Sequence, residues 1–245
     1  MLQQIKSKVY SSLLYLGSLY HRNENSKVIY YHDIHSYDKY TDMSTDFDLF
    51  KKHIECIQSM NFEIVKKITK PQKQIKISFD DGFRGVYNHK DYFVKNNIFP
   101  TIYIITSRVG HKNYLTWNEI RELDFLGFNI QAHTHLHSDL NILSGEELLF
   151  DLKTSKDILE KELHHPITEI CFPKGLFSKQ VLEVSKKIGF TECYSSIPGH
   201  IDDERELDVL YYRNLVQFAT VLELKSILMG GMFIFKNRYR KQHYV

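Results

Sequence analysis

The sequence predicts an α/β protein whose parallel strands close into a (β/α) barrel, and three observations carry that prediction. Short, apolar, β-rich runs alternate with helical patterns along the chain. The runs that read as strands suit a barrel of about seven to eight parallel strands. At four of them, polar residues suited to chemistry stand just past the C-terminal end, where a barrel gathers distant residues on one rim.

Composition sets the bounds. A chain of 245 residues can form one large domain with a full core. Hydrophobic residues at 42% and charged residues at 25% are ordinary globular values, and a formal charge of +2 gives no support for a nucleic-acid binder. Cys56, Cys171 and Cys193 are far apart with no CxxC spacing, so no disulfide framework or cysteine zinc site is expected and a reducing compartment fits best.

Residues 1–26 form the first segment. Leu2, Ile5, Val9, Leu13 and Leu16 recur at helical spacing behind Lys6 and Lys8, which reads as an amphipathic helix. The apolar run Leu13-Leu14-Tyr15-Leu16 is too short to span a bilayer, and no A-x-A cleavage site follows it. Docking on the domain is the preferred reading of this helix, and a membrane-surface anchor is the alternative.

Residues 27–218 read as the body of the domain. Its strands are expected at 27–31, 62–65, 75–79, 101–105, 128–132, 168–172, 190–194 and 210–215. Between them, Thr116 to Glu119 and Ser144 to Glu147 fit the capping box, in which hydroxyl and carboxylate satisfy orphan amides at a helix start. Phe47, Phe50, Ile54 and Ile57 form an apolar stripe after Ser44-Thr45, read as another helix start, and Gly189 stops a helix that ends on Lys186 and Lys187. Residues 219–245 follow as a C-terminal helix and basic tail. Met229 to Phe235 is apolar around Gly230-Gly231, with Lys236, Arg238, Arg240 and Lys241 after it. A solvated tail is preferred, and contact with an anionic membrane surface or a lipid-linked glycan is the alternative.

The chemistry concentrates in two stretches, Ser78-Phe79-Asp80-Asp81-Gly82 and Ala132-His133-Thr134-His135-Leu136-His137. Adjacent carboxylates and closely spaced imidazoles are the ligands a divalent metal requires. One carboxylate of the pair can bind metal while its neighbour accepts a proton. His133 and His137 can share a metal whether the segment stays extended or turns helical. His135 is a ligand, a neighbour or a bystander. His32 and Pro173-Lys174-Gly175 also follow strands and fall on the same rim. His164 and His165 read as surface groups.

These residues resemble the polysaccharide deacetylase family, the NodB-homology carbohydrate esterases. Ser78 to Gly82 is similar to that family's (T/S)FDDG motif, and His133 to His137 to its H-(S/T)-x-x-H motif. Tyr31-His32-Asp33, Leu115 to Ile120 and Phe172-Pro173-Lys174-Gly175 fall in the family's order, so the resemblance runs from about Lys27 to Gln217. It implies a distorted barrel and makes Asp81, His133 and His137 ligands of a divalent metal, zinc by preference. It makes Asp80 the general base, and puts Pro173 and Lys174 at the oxyanion and substrate. Within the branch resembling poly-N-acetylglucosamine deacetylases, it makes His32 the acid. The family's usual arginine partner of the base is replaced by Cys171-Phe172, and Arg213 is a candidate substitute.

The implied activity is hydrolysis of the N-acetyl group of an amino sugar, in a surface glycan or a lipid-linked precursor. The expected location is cytoplasmic, with peripheral contact of the termini at the inner membrane face as the alternative. Two rivals stay open: a metallohydrolase built on the H-x-H-x-H run, with His135 as ligand, and a glycan-binding module that has lost catalysis.

Overall fold

The computed structural model describes the backbone of residues 2–203 and 206–244, with side chains described from residue 8 onward. In chain order the strands are β1 (Lys27–Tyr31), β2 (Asp33–His35), β3 (Ser44–Asp46), β4 (Glu63–Ile64), β5 (Gln74–Phe79), β6 (Thr101–Ile104), β7 (Asn129–Ala132), β8 (Glu169–Cys171), β9 (Glu192–Tyr194), β10 (Leu210–Tyr211) and β11 (Arg213–Leu215). The helices are α1 (Leu2–Tyr20), α2 (Phe47–Ser59), α3 (Gly85–Asn88), α4 (Lys90–Lys95), α5 (Trp117–Phe125), α6 (Gly145–Leu163), α7 (Lys179–Lys187), α8 (Val221–Leu228) and α9 (Lys236–His243).

All pairings in the main sheet are parallel, in the order β10-β9-β8-β7-β6-β5-β1-β11, with β4 attached to β5. Its two ends, β10 and β11, are halves of one segment broken at Tyr212. The expected strand 210–215 is therefore real but divided. Its first half pairs with β9 and its second half with β1, so this bent segment closes the wall into a distorted barrel. Across the break, the Tyr211 carbonyl accepts from Ser195 N–H at 3.1 Å and Arg213 N–H donates to the Ile197 carbonyl at 3.0 Å. The first expected strand, 27–31, matches β1 residue for residue, whereas 62–65 shortens to β4.

The central wall strands β1, β5 and β6 bury both faces, for different reasons. Outward residues such as Ile29, Ile77, Phe79, Ile102, Ile130 and Ile170 pack beneath the helices in the main core. Inward residues are largely polar. Lys76 Nζ donates to Glu169 Oε2 at 2.5 Å and to the Tyr194 hydroxyl at 3.0 Å, and the Tyr103 hydroxyl donates to the same carboxylate at 2.9 Å. An ion pair this buried is tolerable because the remaining donors and acceptors are filled. The barrel interior is thus a stacked hydrogen-bonded column, and the rim chemistry sits above it.

Both sequence-identified capping boxes form, at Thr116 with Glu119 and at Ser144 with Glu147. The third helix start differs. Ser44 and Thr45 belong to β3, which pairs with β2 in a small parallel sheet, and Asp46 caps α2 by accepting from Asp48 and Leu49 N–H. A two-strand pairing set by Asp33 to His35 wins over the local helix signal.

The N-terminal helix docks with the face opposite to the one its apolar stripe suggested. Leu14, Gly17 and Ser18 are buried, while Val9, Leu13 and Leu16 are exposed. The side chains of Leu2 and Ile5 lie outside the described residues. Small residues explain the choice: a Cβ on Gly17 would meet the Gly231 carbonyl at 2.4 Å, and one on Gly231 would meet the Leu14 carbonyl at 2.4 Å. Only glycines permit that backbone approach. The basic tail is not free either. It forms α9, held by an ion pair of Lys236 with Asp203 at 2.6 Å and another of Arg240 with Glu206.

Candidate active site

The site is assembled from the segments that follow β1, β5, β7 and β8, together with a side chain from β11. Tyr31 of β1 lies in register with Phe79 of β5, and Asp80 N–H continues the ladder to the Tyr31 carbonyl at 3.0 Å. His32 and Asp80 therefore leave neighbouring strands at one level. Just beyond, the chain turns sharply: Asp81 and Gly82 have φ of 71° and 77°. Left-handed backbone recurs at Thr134 (64°), His137 (60°) and Lys174 (54°), all on this rim. Such conformations cost roughly 1–3 kcal/mol each for non-glycine residues and persist only where the surroundings hold them. Here the surroundings can be named. The Asp151 carboxylate on α6 accepts from His135 and Leu136 N–H at 2.6 and 2.7 Å, and the Thr134 hydroxyl accepts from His137 N–H at 3.0 Å.

That loop brings Asp81, His133 and His137 together. Asp81 Oδ1 lies 3.2 Å from His133 Nε2 and 3.3 Å from His137 Nε2. The three ligand atoms lie within 4.8 Å of one another. The His133 Nδ1–H donates to the Cys171 carbonyl at 2.7 Å, so the Nε2 of a neutral ring presents a lone pair to a carboxylate oxygen. Two acceptors facing each other require a positive charge between them, either a proton that turns Nε2 into a donor to Asp81 or a metal ion. Burial alone would raise the Asp81 carboxyl, but hydrogen bonds from His133 and His137 outweigh it and hold Asp81 well below the usual carboxylate range. One carboxylate oxygen and two imidazole nitrogens are a donor set that fits zinc or a similar divalent ion.

Asp80 has a different environment. Its carboxylate is gripped by both ends of Arg213, with Nη1 to Oδ1 at 2.7 Å and Nη2 to Oδ2 at 3.0 Å. Arg213 is 1% exposed and stands inside the barrel. It lies in register with Val28, deep in the barrel, and reaches upward past the Tyr30 ring, 4.1 Å from its guanidinium carbon. Nε donates to the Ser195 carbonyl at 3.1 Å, and Nη2 lies 2.8 Å from Cys171 Sγ. Burial works to raise the Asp80 carboxyl, yet Arg213 first, and then His133, keep it below the ordinary range. Asp80 is thus poised to stay ionised in a site where an unpaired carboxylate would protonate.

The remaining expected residues surround this pair. His32 is half-buried, and its Nδ1 is 2.6 Å from Gln217 Oε1, which fixes the ring with its other nitrogen as the free one. His32 acts electrostatically on both Asp80 and Asp81. Pro173 is buried in a 3-10 turn over Pro173–Gly175, and Lys174 Nζ pairs with Asp139 Oδ1 at 2.7 Å, tying this turn to the histidine loop. Gly175 is required here, because a Cβ would meet Ser196 at 2.5 Å. His135 does not join the group. Its Nδ1 is 2.9 Å from the Thr106 hydroxyl and its ring lies against Phe150, which removes the ligand required by the H-x-H-x-H alternative.

Sequence reasoning missed four contributors. Gln217 follows the last strand and left no signal of its own. Asp151 is a helical aspartate whose role appears only when α6 packs beside the histidine loop. Cys171, read as a mere replacement for an arginine, places its carbonyl on His133 and its sulfur beside Arg213. Tyr30 stands in a strand as an ordinary apolar residue, and its stacking on Arg213 depends on barrel closure.

Comparisons with known proteins identify the family and the fold. A family model described as polysaccharide deacetylase matches residues 67–193. YxkH, a Bacillus subtilis (strain 168) protein whose name assigns it to the polysaccharide deacetylases, is 27% identical over 143 residues, covering 57% of this chain and 50% of its own. The chain spans about half the length of the curated relatives it matches. Among solved structures, the Streptococcus pyogenes deacetylase PplD in complex with acetate superposes with a TM-score of 0.73 at 19% identity, over 83% of this chain and 98% of that one. IcaB from Ammonifex degensii gives 0.74 at 18%, over 85% and 98%. The Bacillus cereus polysaccharide deacetylase BC0361 gives 0.73 at 24%, over 83% and 69%. At these identities the likeness is one of fold.

Proposed function

Since this chain belongs to the polysaccharide deacetylase family, we propose that it hydrolyses the N-acetyl group of an amino sugar, releasing acetate. The observation that carries the reading is the division of labour within Asp80-Asp81: one carboxylate locked to Arg213, the other turned toward His133 and His137.

In this reading Asp81, His133 and His137 hold a divalent metal, zinc by preference. Bound there, the metal supplies a Lewis acid that polarises a carbonyl oxygen and acidifies water. Asp80, kept ionised by Arg213, accepts a proton from the attacking water on a carboxylate lone pair that the guanidinium leaves free. His32, held through Nδ1 by Gln217, donates a proton from Nε2 to the departing amine. The Lys174 backbone N–H, in the turn that follows Pro173, donates to the developing oxyanion, and the Lys174–Asp139 pair orients that turn. Each role is assigned to a group whose position is already fixed by a named partner.

The substrate in this reading is an N-acetylated glycan or lipid-linked saccharide, not a nucleic acid. A lipid-linked substrate calls for peripheral contact of the termini with the membrane, and we place the enzyme in the cytoplasm at the inner face. The location draws support from three unpaired, buried cysteines, which suit a reducing compartment. The test is acetate release from chitooligosaccharides, nucleotide-linked N-acetyl sugars and lipid-linked acceptors, with metal analysis of the same sample. Release that depends on metal and is abolished by Asp80→Asn supports the reading. Failure on every substrate by a metal-loaded protein would favour a glycan-binding module instead.

A further inference from the structure

The N-terminal helix hides its small residues and shows its large ones. Along α1, Tyr15 is 59% exposed, Leu16 47% and Leu19 57%, and across a shallow groove Leu222 of α8 is 75% exposed. These four side chains line one groove together with Arg22 and Lys225. Scattered apolar residues on a surface need no explanation, but a contiguous apolar stripe rimmed by charge does.

The charge carried by α1 and α9 is basic. Neither α1 nor α9 contains an aspartate or glutamate. Glu223 also lines the groove, but it is 9% exposed and engaged by the hydroxyls of Ser11 and Thr220. Arg22, Lys225, Arg238 and Lys241 are exposed, and none has an ion-pair partner among the described residues. The two ends of the chain build this side together. Tyr10 stacks on Phe235 with ring centroids 5.4 Å apart, and His21 packs on Phe233 at 4.6 Å.

We infer that the α1–α8 groove is a docking surface for an anionic lipid bilayer, with Tyr15, Leu16, Leu19 and Leu222 entering the headgroup region and Arg22 and Lys225 meeting lipid phosphates. Charge complementarity selects this occupant, since unpaired cations around exposed leucines and a tyrosine match a negative interface. Among the described residues no helix is long and apolar enough to cross a membrane. The helix lies along the surface, because its opposite side is fixed to the protein by the Gly17–Gly231 approach. Thr220, at one end of the groove, follows Gln217, which holds His32, by three residues. Docking there brings the site mouth toward a saccharide carried on lipid. The inference rests on the membrane-facing part of the proposed function and names its surface.

The experiment is co-sedimentation of the full chain with vesicles of pure phosphatidylcholine and with vesicles of equal parts phosphatidylcholine and phosphatidylglycerol. The protein should bind the anionic vesicles and not the zwitterionic ones. Leu16→Ser with Leu19→Ser should weaken binding at least about tenfold, and Arg22→Gln and Lys225→Gln about fivefold each. All four residues are exposed, so the fold should persist, as circular dichroism would verify. Equal binding to both vesicle types would overturn the inference. So would undiminished binding by the leucine variant, or self-association through these leucines with no vesicle binding. Acetate release from a soluble oligosaccharide, measured without vesicles on the same preparations, separates the two ideas. It should be unchanged by the leucine substitutions, and its absence alongside intact vesicle binding would leave the docking surface standing while removing the hydrolase.

Discussion

Arg213→Met isolates the contact that gives Asp80 its character. The native guanidinium makes two hydrogen bonds to Asp80, at 2.7 and 3.0 Å, from a position 1% exposed. An arginine beside an aspartate lowers the carboxyl by about 1–3 units, and burial, which opposes it here, remains after the substitution. The Asp80 carboxyl should therefore rise, tempered by His133 and His32, which still face it. A base works only when deprotonated, so the acid limb of the pH–rate profile should move up by the same amount. At a pH just above the native limb, kcat/KM should fall about tenfold to a thousandfold and recover as pH rises. Stability should also drop by about 3–5 kcal/mol, because one partner of a buried pair is left uncompensated. Adding Asp80→Asn should restore part of that loss while leaving the enzyme inactive. The assay is acetate release across pH, with urea denaturation of each variant. An acid limb that stays in place while the whole profile sinks uniformly would refute the argument, since it would make Arg213 a structural brace only.

Other outcomes follow from particular contacts. His137→Ala should lose bound metal, whereas His135→Ala, turned toward Thr106, should retain it; metal analysis of both decides, and the reverse pattern contradicts the ligand set. Asp151→Ala frees two loop amides held at 2.6 and 2.7 Å, and should cost about 2–3 kcal/mol in urea denaturation and weaken metal binding, because His135 and Leu136, between the left-handed Thr134 and His137, lose their anchor. Lys27 is buried, and burial pushes its amine from 10.5 down to about 7. Between those values the unfolded chain binds the extra proton, so stability should rise with pH across that window, by at most about 5 kcal/mol. Lys27→Met should flatten the rise in pH-dependent denaturation. Gln217→Leu, which removes the partner of His32 Nδ1, should lower kcat while leaving metal content unchanged.

The fold was legible where local pattern and tertiary need coincide. The strand at 27–31 was read to the residue because its apolar run faces the helices on one side and the barrel column on the other. The two capping boxes were equally plain, since a cap is satisfied within four residues. What escaped depends on distant partners. Ser44 and Thr45 resemble a helix start until β2 offers them a ladder. Periodicity identified a stripe on α1 but not the face that docks, because Gly17 meeting Gly231 allows a closer approach than any leucine. In the site, the motif residues cluster because they follow successive strands. Arg213, by contrast, could only be nominated, because its burial is tolerable solely through Asp80, 133 positions away in sequence. Gln217 and Asp151 carried no sequence signal, as each acts through one hydrogen-bond partner brought near by packing.

The central claim is that Asp80 and Asp81 divide proton transfer and metal binding between them. Measuring metal content and acetate release together, for the native chain, Asp80→Asn and Asp81→Asn, tests it most directly. The account predicts a single divalent ion in the native protein, retained in Asp80→Asn with acetate release abolished, and lost in Asp81→Asn along with activity. An Asp80→Asn protein that loses its metal, or an Asp81→Asn protein that keeps both metal and activity, would contradict it.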